Sequence, residues 1–132
     1  MPQDNNQAKI LLVDDTPGNL DVMLEHLGNH QFNISVALNG YEAIELAQSI
    51  VPDIILMDVM MPILDGPGAF EKLKADSATS HLPVVFLTAK AMESEIARLL
   101  DMGAVGVITK PFQPATLHEE VQALWEKFHA DK

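Results

Sequence analysis

The chain has 132 residues, a formal net charge of −11 and a hydrophobic share of 48%, and it contains no cysteine. This length predicts one domain with a core of its own, and the missing cysteines exclude disulfides, thiolate metal sites and a cysteine nucleophile. The acidic charge argues against direct binding to nucleic acid or to an anionic membrane surface.

Residues 1–7 are polar and contain no apolar run that could serve as a secretory signal. No other stretch approaches the ~20 apolar residues of a membrane-spanning helix. We therefore expect a soluble cytoplasmic protein with a polar leader at residues 1–8, one domain at residues 9–129 and a short tail at residues 130–132.

The first predicted strand is the apolar run at residues 9–13, which is followed by two acids, Asp14 and Asp15. Thr16 and Pro17 then form a helix start signal, with Thr16 as N-cap and Pro17 at the first helical position. The helix that follows is predicted to turn one apolar face inward. That face consists of Leu20, Met23, Leu24 and Leu27.

A weakly alternating segment at residues 32–38 predicts a second strand near the edge of the sheet. Asn39 and Gly40 predict a turn that caps a helix at residues 41–50. Pro52 ends this helix, because the residue before a proline is disfavoured in helical geometry.

Residues 54–57 form a continuous apolar run, which is typical of a strand buried on both faces of a parallel sheet. The run is followed by Asp58, and burying a charge without a partner is costly. We therefore expect Asp58 where the third strand meets a crevice. The two prolines and two glycines of residues 59–68 predict a loop beside it.

The remaining predicted elements are strands at residues 82–87 and 104–108 and helices at residues 69–75, 91–102 and 114–128. In the 91–102 helix, the residues predicted to share the inner face are Met92, Ile96, Leu99 and Leu100. Five strands that alternate with five helices predict an α/β fold with a parallel sheet, right-handed crossovers and helices on both faces.

Polar side chains follow four of the predicted strands. They are Asp14 and Asp15 after the first, Asp58 after the third, Thr88 after the fourth and Lys110 after the fifth. Ligand sites of open parallel sheets lie beyond the carboxyl ends of the strands, so we expect these side chains to share one crevice. Three close carboxylates repel one another unless a cation lies among them, and oxygen ligands without His or Cys favour Mg²⁺.

Such a site could carry phosphoryl chemistry. Mg²⁺ accepts phosphate oxygens, and a carboxylate can act as a nucleophile and form an aspartyl phosphate. Lys110 and Thr88 could then hold the other phosphoryl oxygens. The chain has no P-loop motif and no GxGxxG motif, so a bound nucleotide is not indicated.

In this order, the residues resemble the receiver domain of two-component response regulators over nearly the whole chain. Each motif alone is weak, but their combination at these strand ends is highly specific. The matching motifs are Asp14-Asp15, Asp58, the Met-Pro-Ile-Leu-Asp-Gly loop at residues 61–66, Thr88-Ala89, Gly103-Ala104 and Lys110-Pro111-Phe112. The resemblance implies a flavodoxin-like (βα)5 fold with strand order 2-1-3-4-5.

The resemblance also implies that Asp58 accepts a phosphoryl group from a phosphohistidine on a sensor histidine kinase or a histidine phosphotransfer protein. Thr88 and Lys110 would contact that phosphoryl group. The implied Mg²⁺ ligands are Asp14, Asp15, Asp58 and the backbone carbonyl of Met60. The chain would be a signalling phosphoacceptor and not an enzyme that turns over a separate substrate.

In the family the lysine is followed by a cis peptide bond, here Lys110–Pro111, and phosphorylation would draw Thr88 inward. This would reshape the face formed by the fourth helix, the fifth strand and the fifth helix, which could bind a downstream protein or form a homodimer. No output domain follows residue 132, so we expect a single-domain protein that acts by docking or by passing the group on.

Two features depart from the family pattern. The family commonly has an aromatic residue three positions before the lysine, and this chain has Val107 there, so no aromatic ring can report the switch. The positions two past the phosphoacceptor and two past the threonine, which tune phosphoryl lifetime in the family, are Met60 and Lys90. Because apolar Met60 cannot position an attacking water, we hypothesise slow self-dephosphorylation.

Three other interpretations stay open from the sequence. A receiver-like scaffold could work without phosphorylation, although the intact acids and Lys110 argue against it. The chain could also be the receiver fragment of a hybrid kinase. A Mg²⁺-dependent phosphatase with an aspartyl intermediate would need a second acid two residues after Asp58, where the chain has Met60.

Overall fold

The strands form a fully parallel sheet. In the computed structural model, which describes residues 8–28, 32–89, 92–110 and 114–130, five strands make up one sheet. The strands are β1 (Lys9–Val13), β2 (Asn33–Ala37), β3 (Ile54–Asp58), β4 (Val84–Thr88) and β5 (Gly106–Thr109). They lie in the order β2-β1-β3-β4-β5, and each neighbouring pair is parallel. The predicted flavodoxin-like fold is confirmed, with β2 at one edge.

Five helices alternate with these strands in the described part of the chain. The helices are α1 (Pro17–Gly28), α2 (Gly40–Ile50), α3 (Gly66–Ala75), α4 (Glu93–Met102) and α5 (Pro114–Ala130). One core cluster joins α1 and α5 to one face of the sheet, and a second joins α2, α3 and α4 to the other face. Among the described residues, no helix combines the length and the apolar character needed to cross a membrane.

The central strands β3 and β4 are buried along their whole length. Helices cover both of their faces, and this explains why their sequences are continuously apolar instead of alternating. The polar residue of each strand, Asp58 in β3 and Thr88 in β4, is its last residue. The sheet therefore delivers both side chains to its carboxyl edge.

Helix α3 begins at Gly66, three residues earlier than predicted, so the prediction of a loop over residues 59–68 was wrong at its end. Asp65 is the N-cap and its side chain accepts a hydrogen bond from the Gly68 N–H at 2.8 Å. Pro67 lies in the first turn, where a missing N–H leaves no hydrogen bond unmade. The cap and the proline therefore start the helix in a stretch whose glycines and prolines had predicted a loop.

Two predicted apolar faces were too wide. Leu24 of α1 is 40% exposed although its neighbour Met23 is fully buried, and Leu100 of α4 is 43% exposed beside buried Leu99. Successive helical residues point about 100° apart, and in these two pairs only Met23 and Leu99 point into the core. Met92 precedes α4 and is 65% exposed. Strands β4 and β5 each begin two residues later than predicted.

Candidate active site at the carboxyl edge of the sheet

The predicted site residues meet at the carboxyl edge of the sheet. Asp14 and Asp15 follow β1, Asp58 ends β3, Thr88 ends β4, and Lys110 follows β5. Parallel pairing sets the ends side by side, since Asp58 pairs with Leu87 and Thr88 pairs with Thr109. The edge strand β2 brings no comparable side chain, in agreement with its position away from the centre.

Three carboxylates form one cluster. One oxygen from each of Asp14, Asp15 and Asp58 lies within 4.8 Å of the other two. Asp14 and Asp58 are buried, whereas Asp15 is exposed. The cluster therefore has a buried floor and a solvent-facing side from which an ion could enter.

The ammonium of Lys110 bridges the two buried carboxylates. Its Nζ is 3.1 Å from Asp58 Oδ1 and 3.3 Å from Asp14 Oδ2. The lysine side chain is only 16% exposed, so water screens these ion pairs weakly. One internal positive charge thus offsets part of the repulsion between Asp14 and Asp58.

Asp14 is held by donors from helix α1 and the turn before it. The Thr16 N–H donates to Oδ1 at 2.9 Å, and the Asn19 side-chain amide donates to Oδ2 at 3.3 Å. Asn19 was not predicted from the sequence. Its position in the first turn of a helix that starts directly after a site aspartate was the signal that could have identified it.

The protein raises the pKa of the Asp58 carboxyl above the ordinary range of an aspartic acid. Burial is the largest cause, and it raises the pKa because it disfavours the charged form. The negative charge of Asp14 raises the pKa further. Lys110 and the N–H of Met60 lower the pKa of Asp58 without cancelling that effect. Further positive charge among the carboxylates would favour ionised Asp58, which is its nucleophilic form.

The segment after Asp58 folds back over that residue. The Met60 N–H donates to Asp58 Oδ1 at 3.3 Å, while the Met60 side chain is 68% exposed. The Gly66 N–H donates to the Val59 carbonyl at 3.0 Å. A Cβ on Gly66 would collide with the Asp58 carbonyl oxygen and lie 3.0 Å from Val59 Cα. The absence of a side chain at Gly66 therefore lets α3 begin against the Asp58 backbone, in a segment that the sequence had predicted to be a loop.

Thr88 and Lys110 are tied together through the backbone. The Lys110 N–H donates to the Thr88 carbonyl at 2.8 Å, and the Thr88 side chain is buried. Val107 is partly buried against the α2–α4 side of the sheet and pairs with Phe86 of β4. The predicted cis bond between Lys110 and Pro111, and the predicted role of Lys90, lie outside the described residues.

A family model of the response regulator receiver domain matches residues 10–122. The chain belongs to the response regulator receiver domain family. This receiver domain is 35% identical to the protein PilH of Pseudomonas aeruginosa, over 89% of this chain and 97% of that protein. It is 39% identical to the probable transcriptional regulator ycf29 of Pyropia yezoensis, over 83% of this chain but only 49% of that protein. The receiver domain thus spans about half the length of that relative and nearly all of PilH.

Among solved structures, the receiver domain of a sensor histidine kinase from Pseudomonas aeruginosa PAO1 superposes with a TM-score of 0.80. The two chains are 29% identical, and the match covers 94% of this receiver domain and 98% of that one. That structure has a magnesium ion coordinated in its active site cleft. Receiver domains are signalling phosphoacceptors of two-component systems and bind Mg²⁺ in an acidic active site.

The cluster in this receiver domain fits such an ion. Mg²⁺ prefers oxygen ligands in an octahedral arrangement and keeps several waters. Asp14, Asp15 and Asp58 supply oxygens only, and exposed Asp15 leaves one side of the cluster open to water. The chemistry of the donor set therefore matches a hard divalent cation.

Proposed function

We propose that Asp58 accepts a phosphoryl group from a phosphohistidine and that the receiver domain signals through altered protein contacts. The observation that carries this proposal is the arrangement around Asp58. A buried carboxylate at a strand end shares its surroundings with two further carboxylates and with Lys110 Nζ at 3.1 Å. A carboxylate in these surroundings can act as the nucleophile that forms an aspartyl phosphate.

In the transfer step, an Asp58 oxygen attacks phosphorus and forms an O–P bond. The P–N bond of the phosphohistidine breaks, and the imidazole of the donor leaves with its electron pair and takes up a proton. Asp58 must be ionised to attack. The raised pKa of its carboxyl opposes ionisation, so further positive charge in the site would favour transfer.

Asp14, Asp15 and Asp58 would hold Mg²⁺, with the backbone carbonyl of Met60 as a further ligand. When bound, Mg²⁺ supplies positive charge that neutralises the carboxylates and the phosphoryl oxygens. The carboxylate cluster supports this assignment, because Lys110 supplies one positive charge among three acids. The raised pKa of Asp58, caused first by burial and then by Asp14, shows that Lys110 does not offset these two effects fully.

Lys110 and Thr88 would hold the phosphoryl oxygens that face the other side of the site. Lys110 Nζ is already 3.1 Å from Asp58 Oδ1, one of the two oxygens of the carboxyl that would bond to phosphorus. A Thr88 hydroxyl at the end of β4 can donate one hydrogen bond, and its movement would be felt by the backbone of Lys110, which is bonded to the Thr88 carbonyl. Electrostatic stabilisation of this kind is a large term in phosphoryl transfer.

The partners would be a sensor histidine kinase or a histidine phosphotransfer protein as donor, and a downstream protein as target. A phosphohistidine formed from ATP is an intracellular species, so the proposal places this receiver domain in the cytoplasm. Phosphorylation would shift the population of conformations at the face of α4, β5 and α5, which is also the surface proposed for a homodimer. With Val107 in β5, this shift would show in the backbone or in other side chains.

The proposal is tested with phosphoramidate, a small donor with a P–N bond, in the presence of Mg²⁺. Intact mass should show one phosphoryl adduct on the wild type and on Asp101→Asn, which changes an exposed carboxylate of α4. Asp58→Asn should show none. An unmodified wild type would instead support a phosphorylation-independent scaffold, and continuous release of phosphate without an adduct would support a phosphatase.

A further inference from the structure

The buried carboxylate of Asp14 accepts three hydrogen bonds. Its Oδ1 accepts from the Thr16 N–H at 2.9 Å. Its Oδ2 accepts from the Asn19 amide and from Lys110 Nζ, each at 3.3 Å. Three donors thus fix the orientation of a side chain that has no exposure to solvent.

The three donors differ in what would happen to them during phosphoryl transfer. The Thr16 N–H is part of the backbone at the start of α1 and cannot leave. Lys110 also pairs with Asp58, so it would follow the phosphoryl group and weaken its contact with Asp14. Asn19 is anchored on α1 and is then the side chain that still holds Oδ2.

The charge of each donor also matters for a divalent cation. An ammonium on Asp14 Oδ2 repels a cation bound to the same carboxylate, whereas a neutral amide orients the oxygen without adding positive charge. Groups that hydrogen-bond a metal ligand fix its orientation, and their loss typically weakens metal binding by roughly 10–100-fold. Asn19 has the position and the chemistry for this task.

We propose that Asn19 is a positioning residue that keeps the Asp14 carboxylate oriented for Mg²⁺ while Lys110 engages the phosphoryl group. This inference rests on the proposed function. Asn19 lies outside the ligand set and would act only through Asp14. The test separates the positioning of Asp14 from a general contribution of Asn19 to stability.

Two variants of Asn19 make that separation. Asn19→Leu keeps the approximate size of the side chain and removes the donor, whereas Asn19→Gln keeps an amide donor. Gln48→Leu is the matched control, since the Gln48 amide donates to the Asp76 carboxylate at 2.8 Å near the opposite end of the sheet. We expect calorimetric titration to show Mg²⁺ binding about tenfold weaker in Asn19→Leu and within about twofold of wild type in Asn19→Gln and Gln48→Leu.

A spectroscopic readout accompanies the titration. The Thr16 amide donates to the other oxygen of Asp14, so its ¹H–¹⁵N resonance should move in metal-free Asn19→Leu and not in Gln48→Leu. Wild-type Mg²⁺ affinity in Asn19→Leu would overturn the inference, as would equal weakening in Asn19→Leu and Asn19→Gln. A wild type that binds no Mg²⁺ and takes no phosphoryl group would instead refute the proposed function, so the two failures are distinguishable.

Discussion

Lys110 Nζ lies 3.1 Å from Asp58 Oδ1, although strand β4 lies between β3, which ends in Asp58, and β5, which Lys110 follows. The lysine side chain reaches across the end of β4 and also contacts Asp14 Oδ2. Among the described residues, the ammonium of Lys110 is the one positive charge that pairs with the two buried carboxylates. The stability of the site should therefore depend on Lys110 and on divalent cations in a linked way.

Lys110→Met should destabilise the metal-free protein by about 3 kcal/mol, because it leaves two buried carboxylates without their cation. Added Mg²⁺ should recover a large part of that loss by binding the folded state. Urea unfolding at neutral pH, with and without Mg²⁺, measures both effects. The control is Lys72→Met, which removes an exposed lysine of α3. Equal stability of the two variants in chelator would contradict the prediction.

Asp58→Asn should be more stable than the wild type at neutral pH without metal. The folded protein raises the pKa of Asp58, chiefly through burial and then through Asp14, so it retains the proton to a higher pH than the unfolded chain. The stability of the wild type therefore falls as the pH rises from about 3.9, the ordinary aspartate pKa, through the raised value. Asp58→Asn has no carboxyl at this position to titrate, so it does not lose stability in this way.

Thermal unfolding of both proteins across that pH range, in chelator, tests the linkage. The melting temperature of Asp58→Asn should exceed that of the wild type by a few degrees at neutral pH, and the difference should vanish in acid. The control is Asp101→Asn, which changes an exposed carboxylate of α4. If the two melting temperatures differed by the same amount from acid to neutral pH, the titration of Asp58 would be excluded as the cause of the difference.

Gly66→Ala should cost about 1–3 kcal/mol of stability, because its Cβ would collide with the Asp58 carbonyl and force the start of α3 away. It should also slow phosphorylation of Asp58 by displacing its backbone. Gly18→Ala in α1 is the matched control, since its Cβ would meet nothing within 4 Å. That change should be neutral or stabilise by up to about 1 kcal/mol. Chemical denaturation that gave the same result for both variants would refute the steric account.

Met60→Asn should shorten the lifetime of the phosphoprotein by about tenfold, because an amide beside Asp58 can hold an attacking water that a thioether cannot. The wild type should lose its phosphoryl group slowly. Intact mass followed over time, with purified phosphoprotein and Mg²⁺, gives both rates. Leu100→Asn, a similar change at an exposed position of α4, should leave the rate unchanged. Loss from the wild type within seconds would show that Met60 does not protect the phosphoryl group.

The sequence predicted the fold well because the central strands are unusual. Continuous apolar runs such as residues 54–57 are typical of strands covered on both faces, and their alternation with helices favours a parallel sheet. The predictions were less accurate where neighbouring residues competed for one side of a helix, as with Met23 and Leu24, or where a cap overrode glycine and proline, as at Asp65.

The order of acids, threonine and lysine along the chain was enough, by itself, to place five side chains at one edge of the sheet. Strand direction fixes that edge, so no knowledge of side-chain packing was needed. Only the tertiary structure decided how these groups share charge. The bridge of Lys110 between Asp14 and Asp58, the Asn19 amide on Asp14 and the close approach of Gly66 to Asp58 join residues on different elements. Such contacts depend on distances of a few ångströms that strand order does not specify.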